Sequence, residues 1–229
     1  MFCILAYKLP DVNVSPTPVA GSAEADQEIS RALLERVASG EIDGAVRIWA
    51  PVPGLAMSRL DELAPGADAA RAVAQNAGLS AVRRVSGGHA VVLGPGSFCV
   101  GYAEPATMFE GTQERYERLT GALLAALGAV GVAAQRGELA GEWCPGAWSI
   151  SAGGVKLAGL AQRAIKGAAW VEAVVDRTPD EATRRLFGEV YAELGLALDP
   201  ATIGSVSEVA RREVSFAELA QPLVTALTV

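Results

Sequence analysis

Along this chain the spacing of apolar and polar positions changes several times, and each change predicts an element. Residues 22–40 read as a capped helix: Ser22 offers the cap, acids crowd the first turn and Gly40 stops it. Arg47-Ile-Trp-Ala50 is a short strand closed by Pro51 and Pro53. Residues 55–63 read as a helix halted by Pro65-Gly66, and 67–77 as a second one. From Leu79 to Tyr102 the pattern turns to short β-type runs divided by Gly87-Gly88 and Gly94-Pro95-Gly96. Residues 112–128 carry the i, i+3, i+4 apolar repeat of a helix laid on a core. Strands are then expected over 132–136, 147–151, 155–165 and 168–176. Thr178-Pro179-Asp180 opens another helix with proline at its first position, and Ser215-Phe-Ala-Glu218 is a capping box before a last apolar helix.

Helices and strands are thus intermixed, and the strands cluster in hairpin-like runs instead of strict βαβ units. The expected class is α/β in the α+β sense: a mixed, largely antiparallel sheet flanked by helices. One domain over 1–229 is expected, with 178–229 as a possible C-terminal helical appendage.

Composition narrows the function classes. With 51% hydrophobic and 20% charged residues, the chain is that of an ordinary globular protein. Nineteen Lys and Arg against 26 Asp and Glu leave a net charge of −7. That excess argues against a nucleic-acid backbone or an anionic membrane surface as partner. The three cysteines, Cys3, Cys99 and Cys144, are scattered and fit neither a disulfide framework nor a zinc pattern. Residues 1–8 lack the basic flank of a signal peptide, and no apolar run is long enough to span a bilayer. A soluble cytoplasmic protein is expected.

Candidate chemistry concentrates in residues 141–163. Cys144 stands in a Pro-Gly turn, and Lys156 is a single lysine in an apolar, glycine-rich strand pattern. A thiol at a turn is open to substrate as a nucleophile, and a neighbouring ammonium favours its thiolate; the alternative is a buried structural cysteine. Lys156 either hydrogen-bonds an acyl carbonyl as charge develops or points to solvent from an edge strand. Cys3 and Cys99 have apolar neighbours and read as core residues. The run Arg83-Arg84-Val-Ser-Gly-Gly-His89 joins two arginines to a turn whose backbone a ligand can approach. Its bland reading is a solvated β-turn. His89 is the only histidine. It serves either as a general base for Cys144 or as a turn residue without a chemical role, and a multi-histidine metal site is excluded. Gln162, Arg163 and Lys166 read as strand-end polar groups.

Three segments in this order, Arg83-Arg84-Val-Ser-Gly-Gly88, Gly153-Gly-Val-Lys-Leu-Ala-Gly159 and Ala161-Gln-Arg163, resemble the lipoate–protein ligase and octanoyltransferase superfamily. That superfamily shares its catalytic domain with biotin ligases, and the likeness covers roughly 47–175. It implies a biotin/lipoate ligase catalytic-domain fold. It also implies an acyl pocket lined by the Arg-x-Ser-Gly-Gly turn, and a lysine, Lys156, on the bound acyl carbonyl. Cys144-Pro-Gly-Ala-Trp-Ser149 is similar to the nucleophile segment of the cysteine-dependent amidotransferases. Those move an octanoyl or lipoyl group from the glycine-cleavage H protein to lipoyl domains. The ATP-dependent ligases carry His-Asp a few residues beyond the Gly-Gly pair, where this chain has Leu93-Gly94.

The resemblance therefore implies an acyltransferase with Cys144 and Lys156 as catalytic residues. Arg83, Arg84, Ser86, Gly87, Gly88, His89, Gly159 and Gln162 would bind substrate. No cofactor or metal is required. The donor would be the glycine-cleavage H protein or an acyl carrier protein, and the acceptor a lipoyl domain. Two alternatives stay open: an ATP-dependent ligase, which forms an acyl-adenylate and does not need Cys144, and a non-catalytic binder of lipoyl domains or acyl groups.

Overall fold

The computed structural model describes residues 11–108, 110–178 and 180–228. In chain order the elements are β1 (Asp11–Ser15), α1 (Ala23–Ala38), β2 (Ala45–Trp49), β3 (Gly54–Met57), α2 (Arg59–Glu62), α3 (Ala67–Asn76), β4 (Ser80–Arg83), β5 (Val91–Leu93) and β6 (Ser97–Thr107). They continue with α4 (Thr112–Ala129), β7 (Gln135–Arg136), β8 (Ile150–Ala152), β9 (Val155–Asp176), α5 (Glu181–Leu194), α6 (Val206–Ala210) and α7 (Phe216–Leu227).

Six strands form one sheet in the order β1-β2-β6-β9-β8-β7, and three form another in the order β4-β3-β5. Among the described strands β1–β2 and β3–β4 pair in parallel and the other pairs are antiparallel, so the sheets are mixed and mainly antiparallel as expected. The spine of the large sheet is the pairing of β6 with β9, from Ser97–Asp176 to Thr107–Lys166. Along both strands the side chains alternate between two cores. Phe98, Val100, Tyr102, Val171, Ala173 and Val175 meet α4 and α7 on one face. Cys99, Ala103, Trp170 and Val174 meet the small sheet, α3 and α5 on the other. A strand buried on both faces reads as an unbroken apolar run, which hides its period of two. The C-terminal helices belong to these cores: Phe187 and Val190 of α5 to the second, Leu219 and Leu223 of α7 to the first.

Helix α1 is fixed at its start by Ser22, which accepts from the Ala25 N–H. It is tied to β2 by a buried ion pair, Arg47 to Asp26 at 2.5 Å, with Trp49 Nε1 donating to the same carboxylate at 3.0 Å. Helices α3 and α4 and the capping box at Ser215–Glu218 follow the sequence reading.

Other expectations are corrected. Residues 55–63 are not one helix. Leu55, Ala56 and Met57 are buried in the central strand of the small sheet, and Ser58 forms a capping box with Asp61 that starts α2 afresh. The strands expected at 155–165 and 168–176 are the single strand β9, which runs through Gly167 at φ +98°. Strands β7 and β8 are shorter than expected. The next helix takes Asp180 as its cap and begins at Glu181; Pro179 lies outside the described residues, as does Cys3. Among the described residues no helix is long and apolar enough to cross a membrane.

Where β9 ends, a cavity of about 20 Å³ is lined by Asp176, Asp180, Thr183, Arg184 and Ser205. Asp176 is 9% exposed, and one of its carboxylate oxygens has no hydrogen-bond partner among the described residues. Burial, opposed by the charges of Lys156 and Arg184, pushes its carboxyl up to about 7.

Candidate active site

Two loops from distant parts of the chain meet at one sulfur atom. The first follows β4. The Arg84 N–H still bonds the Met57 carbonyl at 3.0 Å, and the Val85 N–H donates to Gln27 of α1 at 3.1 Å, so the turn leaves the sheet on a fixed path. Arg84 is 6% exposed. Its guanidinium donates to the His89 carbonyl at 2.9 Å and Ser86 Oγ at 3.0 Å, and it faces Glu172 at 3.7 Å. Glu172 in turn accepts from Ser86 and from Trp170 Nε1. Burial works against the Arg84 charge, yet the neighbouring Cys144 and Glu172 outweigh it and raise its pKa.

The second loop carries Glu142, Trp143 and Cys144. Cys144 sits at φ +40°, a left-handed backbone that non-glycine residues rarely adopt. The Tyr191 hydroxyl accepts from the Cys144 N–H at 2.6 Å and donates to the Ala90 carbonyl at 2.9 Å, bridging the two loops through α5. The half-buried Cys144 sulfur accepts the His89 main-chain N–H at 3.2 Å and lies 4.0 Å from Arg84. Gly88, at φ +95°, makes room for it, since a Cβ there would stand 2.7 Å from the sulfur.

Lys156 is fully buried, not solvent-facing. Its ammonium contacts Glu142 at 3.1 Å, the Trp143 and Cys144 carbonyls at 2.6 and 2.9 Å, and Ser149 Oγ at 2.9 Å. It also lies 4.2 Å from the Trp143 ring centre. Burial lowers its pKa, with Glu142 as the main opposing influence. Glu142 is filled too, accepting from Ser149, the Leu139 N–H at 3.0 Å and the Gly146 N–H at 3.3 Å. Lys156 thus grips the carbonyl of Cys144, and its hydrogen bonds do not include the sulfur. Gly159 belongs to this packing, because a Cβ there would stand 2.8 Å from the Trp143 ring.

A cleft of about 400 Å³ is lined by Arg83, Arg84, Ser86, Gly87, Gly88 and Gln162, among others, and it adjoins the sulfur through Arg84 and Gly88, which neighbour both. That volume falls within the usual range of small-molecule sites, ~300–1,000 Å³. Six of the substrate-binding candidates therefore share one cavity wall. Arg83 is exposed there and paired with Glu62. Gln162 is held between Arg115 at 3.0 Å and the Thr112 carbonyl at 2.9 Å. His89 touches the sulfur through its backbone, while its ring bonds Asp61 at 3.1 Å. Cys99 is buried in the second core, as its apolar neighbours suggested. Among the described residues no group of three or more His, Cys, Asp or Glu side chains is placed to hold a metal.

Four residues that sequence reasoning missed complete the arrangement: Asp61, Glu142, Glu172 and Tyr191. Glu142 lies inside the stretch singled out by its lone thiol and lysine, and a buried lysine's need for a counter-charge was the available signal. Tyr191 is 47 positions from Cys144 and carries no local mark.

The sequence profile of the lipoyl protein ligase A/B catalytic domain matches residues 23–228. The chain is similar to the octanoyl-GcvH:protein N-octanoyltransferase of Geobacillus kaustophilus, 30% identical over 202 residues, 83% of this chain and 71% of that one. The enzyme of the same name from Anoxybacillus flavithermus is 29% identical over 227 residues, 93% of this chain and 82% of its own. Among solved structures, lipoate-protein ligase A bound with ATP superposes with a TM-score of 0.67 at 16% identity, covering 95% of this chain and 84% of the other. At that identity the likeness speaks for the fold.

Proposed function

Since the chain belongs to the lipoyl protein ligase A/B catalytic-domain family, we propose that it moves an octanoyl or lipoyl group between carrier proteins through a thioester on Cys144. The relatives named octanoyl-GcvH:protein N-octanoyltransferase support an H-protein donor and a protein acceptor, read here as a lipoyl domain. The observation that carries this reading is the Cys144 sulfur, half-buried in a left-handed turn and held against Gly88 and His89 beside the cleft.

In the first step the sulfur attacks the carbonyl carbon of the donor's octanoyl-lysine amide. The C–S bond forms, the C–N bond breaks, and the donor amine leaves with a proton. In the second, the acceptor's lysine amine attacks the thioester carbonyl. The C–N bond forms, the C–S bond breaks, the sulfur is regenerated, and the amine's proton passes to solvent. Dividing the transfer lets one site meet two protein partners in turn. Main-chain N–H groups of the 87–88 turn are the natural donors to the oxyanion. Lys156 contributes by fixing the carbonyls of Trp143 and Cys144, which sets the turn that carries the nucleophile. The chemistry requires neither nucleotide nor metal. It needs a free thiol, which suits a reducing cytoplasm, and among the described residues Cys99 and Cys144 are both unpaired.

Intact mass after mixing with octanoylated H protein tests the reading. An added octanoyl group that is absent in Cys144→Ala is the expected result. Formation of acyl-adenylate from ATP and free octanoate, without any protein adduct, would replace it with the ligase reaction.

A further inference from the structure

The thiol proposed as nucleophile needs a charge beside it, and the sequence points to Lys156 for that purpose. The structure assigns the task elsewhere. The Lys156 ammonium is taken up by Glu142, Ser149 and two carbonyls, one of them that of Cys144 itself. The groups on the sulfur are the His89 N–H at 3.2 Å and the Arg84 guanidinium at 4.0 Å. We propose that Arg84, together with the His89 main-chain N–H, holds the Cys144 sulfur as a thiolate, while Lys156 shapes the turn.

Arg84 is built for this position. Ser86 and the His89 carbonyl fix its nitrogens, so the same residue whose carbonyl orients the guanidinium also presents its N–H to the sulfur. A fixed planar guanidinium beside an anion loses little freedom when the charge appears. Other charged and titratable groups face this region from every side. Glu172 on β9 opposes Arg84, Glu142 pairs with Lys156, Asp61 pairs with the His89 ring, the Tyr191 hydroxyl receives the Cys144 N–H, the Tyr116 phenol of α4 faces Arg84 and Cys144, and the Lys156 ammonium acts on Cys144 through space. The carboxylates are each engaged by a partner of their own, which leaves two donors nearest the sulfur. On ionisation the S–H bond breaks and its proton passes to water.

Glu172 gives the proposal a second handle. Its carboxylate shares the guanidinium with the sulfur, so neutralising it frees positive charge for the thiolate. Removing Arg84 and removing the Glu172 charge must therefore act in opposite directions. A merely structural role for these two buried residues predicts no such opposition.

The test is the rate of iodoacetamide alkylation at Cys144 between pH 5 and 10, followed by mass spectrometry of the peptide that carries it. Folding of each variant is checked by circular dichroism. In Arg84→Gln the midpoint of the rate profile should rise by about one unit or more, slowing alkylation at pH 7 by about twofold to tenfold according to where the wild-type midpoint lies. In Glu172→Gln the midpoint should fall. A folded Arg84→Gln with the wild-type profile, a Glu172→Gln midpoint that rises, or a wild-type midpoint no lower than the ~8.5 of a free thiol overturns the proposal; if Arg84→Gln does not fold, the wild-type and Glu172→Gln midpoints decide. The inference takes Cys144 as the reacting group from the proposed function, but alkylation needs no acyl donor. Failure of octanoyl transfer with the two opposed shifts intact would sink the transferase reading and leave this one standing.

Discussion

Replacing Lys156 with methionine keeps the length of the side chain and removes its charge. The Glu142 carboxylate would then stay buried without a counter-ion, although Ser149 and two backbone N–H groups would still donate to it. Breaking a buried pair from one side costs about 3–5 kcal/mol, and the three remaining donors favour the lower end. The carbonyls of Trp143 and Cys144 lose their donor in the same substitution. For a chain of this length that loss lowers Tm by roughly 6–20 °C. Glu142→Gln should cost less, because burial already disfavours the Lys156 charge and the amine can shed its proton. The double variant Lys156→Met/Glu142→Gln removes both charges and should recover a substantial part of the loss, giving a coupling energy above ~1 kcal/mol. Urea denaturation of the four proteins, followed by tryptophan fluorescence, completes the cycle. A Lys156→Met variant within ~1 kcal/mol of wild type, or a double variant that is simply the sum of the singles, would show that the pair does not hold this loop.

Asp176→Asn should flatten the dependence of stability on pH. The folded state holds this carboxyl up to about 7, above its ordinary 3.8. Its contribution is therefore fully present below about pH 4 and is lost as pH rises to 7, a swing of at most about 4 kcal/mol. Denaturation midpoints between pH 4 and 8 check this, and an unchanged slope in the variant refutes it. Tyr191→Phe strips the Cys144 N–H and the Ala90 carbonyl of their shared partner. A loss of about 1–3 kcal/mol is expected, with slower octanoyl transfer, and a variant equal to wild type in both would deny the bridge any role.

What the sequence made legible follows from physical range. Helices α1, α4 and α7 were readable because a cap or an apolar stripe announces each within a few residues. Leu55-Ala56-Met57 was not, since a short apolar run looks the same in a buried strand as in a helix. The strands expected over 155–165 and 168–176 are one, because Gly167 is a left-handed residue within it. At the site, Cys144, Lys156 and the Arg84–Gly88 run stood out by residue type and neighbours. Their partners did not, because Glu172, Tyr191 and Asp61 reach them across separations of 28 to 86 positions or by way of another residue. The distinction that matters most, between a lysine on the sulfur and a lysine on the carbonyl of the same residue, lies below anything spacing can resolve.

The backbone at Cys144 carries a wider consequence. At φ +40° the position suits glycine or asparagine better than any thiol-bearing residue, and holding a cysteine there costs on the order of 1–3 kcal/mol. Substitution by glycine would relieve that strain while removing the sulfur. Selection for robustness alone would therefore drift away from cysteine, and only a demand for its chemistry would keep it. With Cys144 as the proposed nucleophile, durability and reactivity would pull this loop in opposite directions, with the surrounding grip of Tyr191, Lys156 and Gly88 as the counterweight.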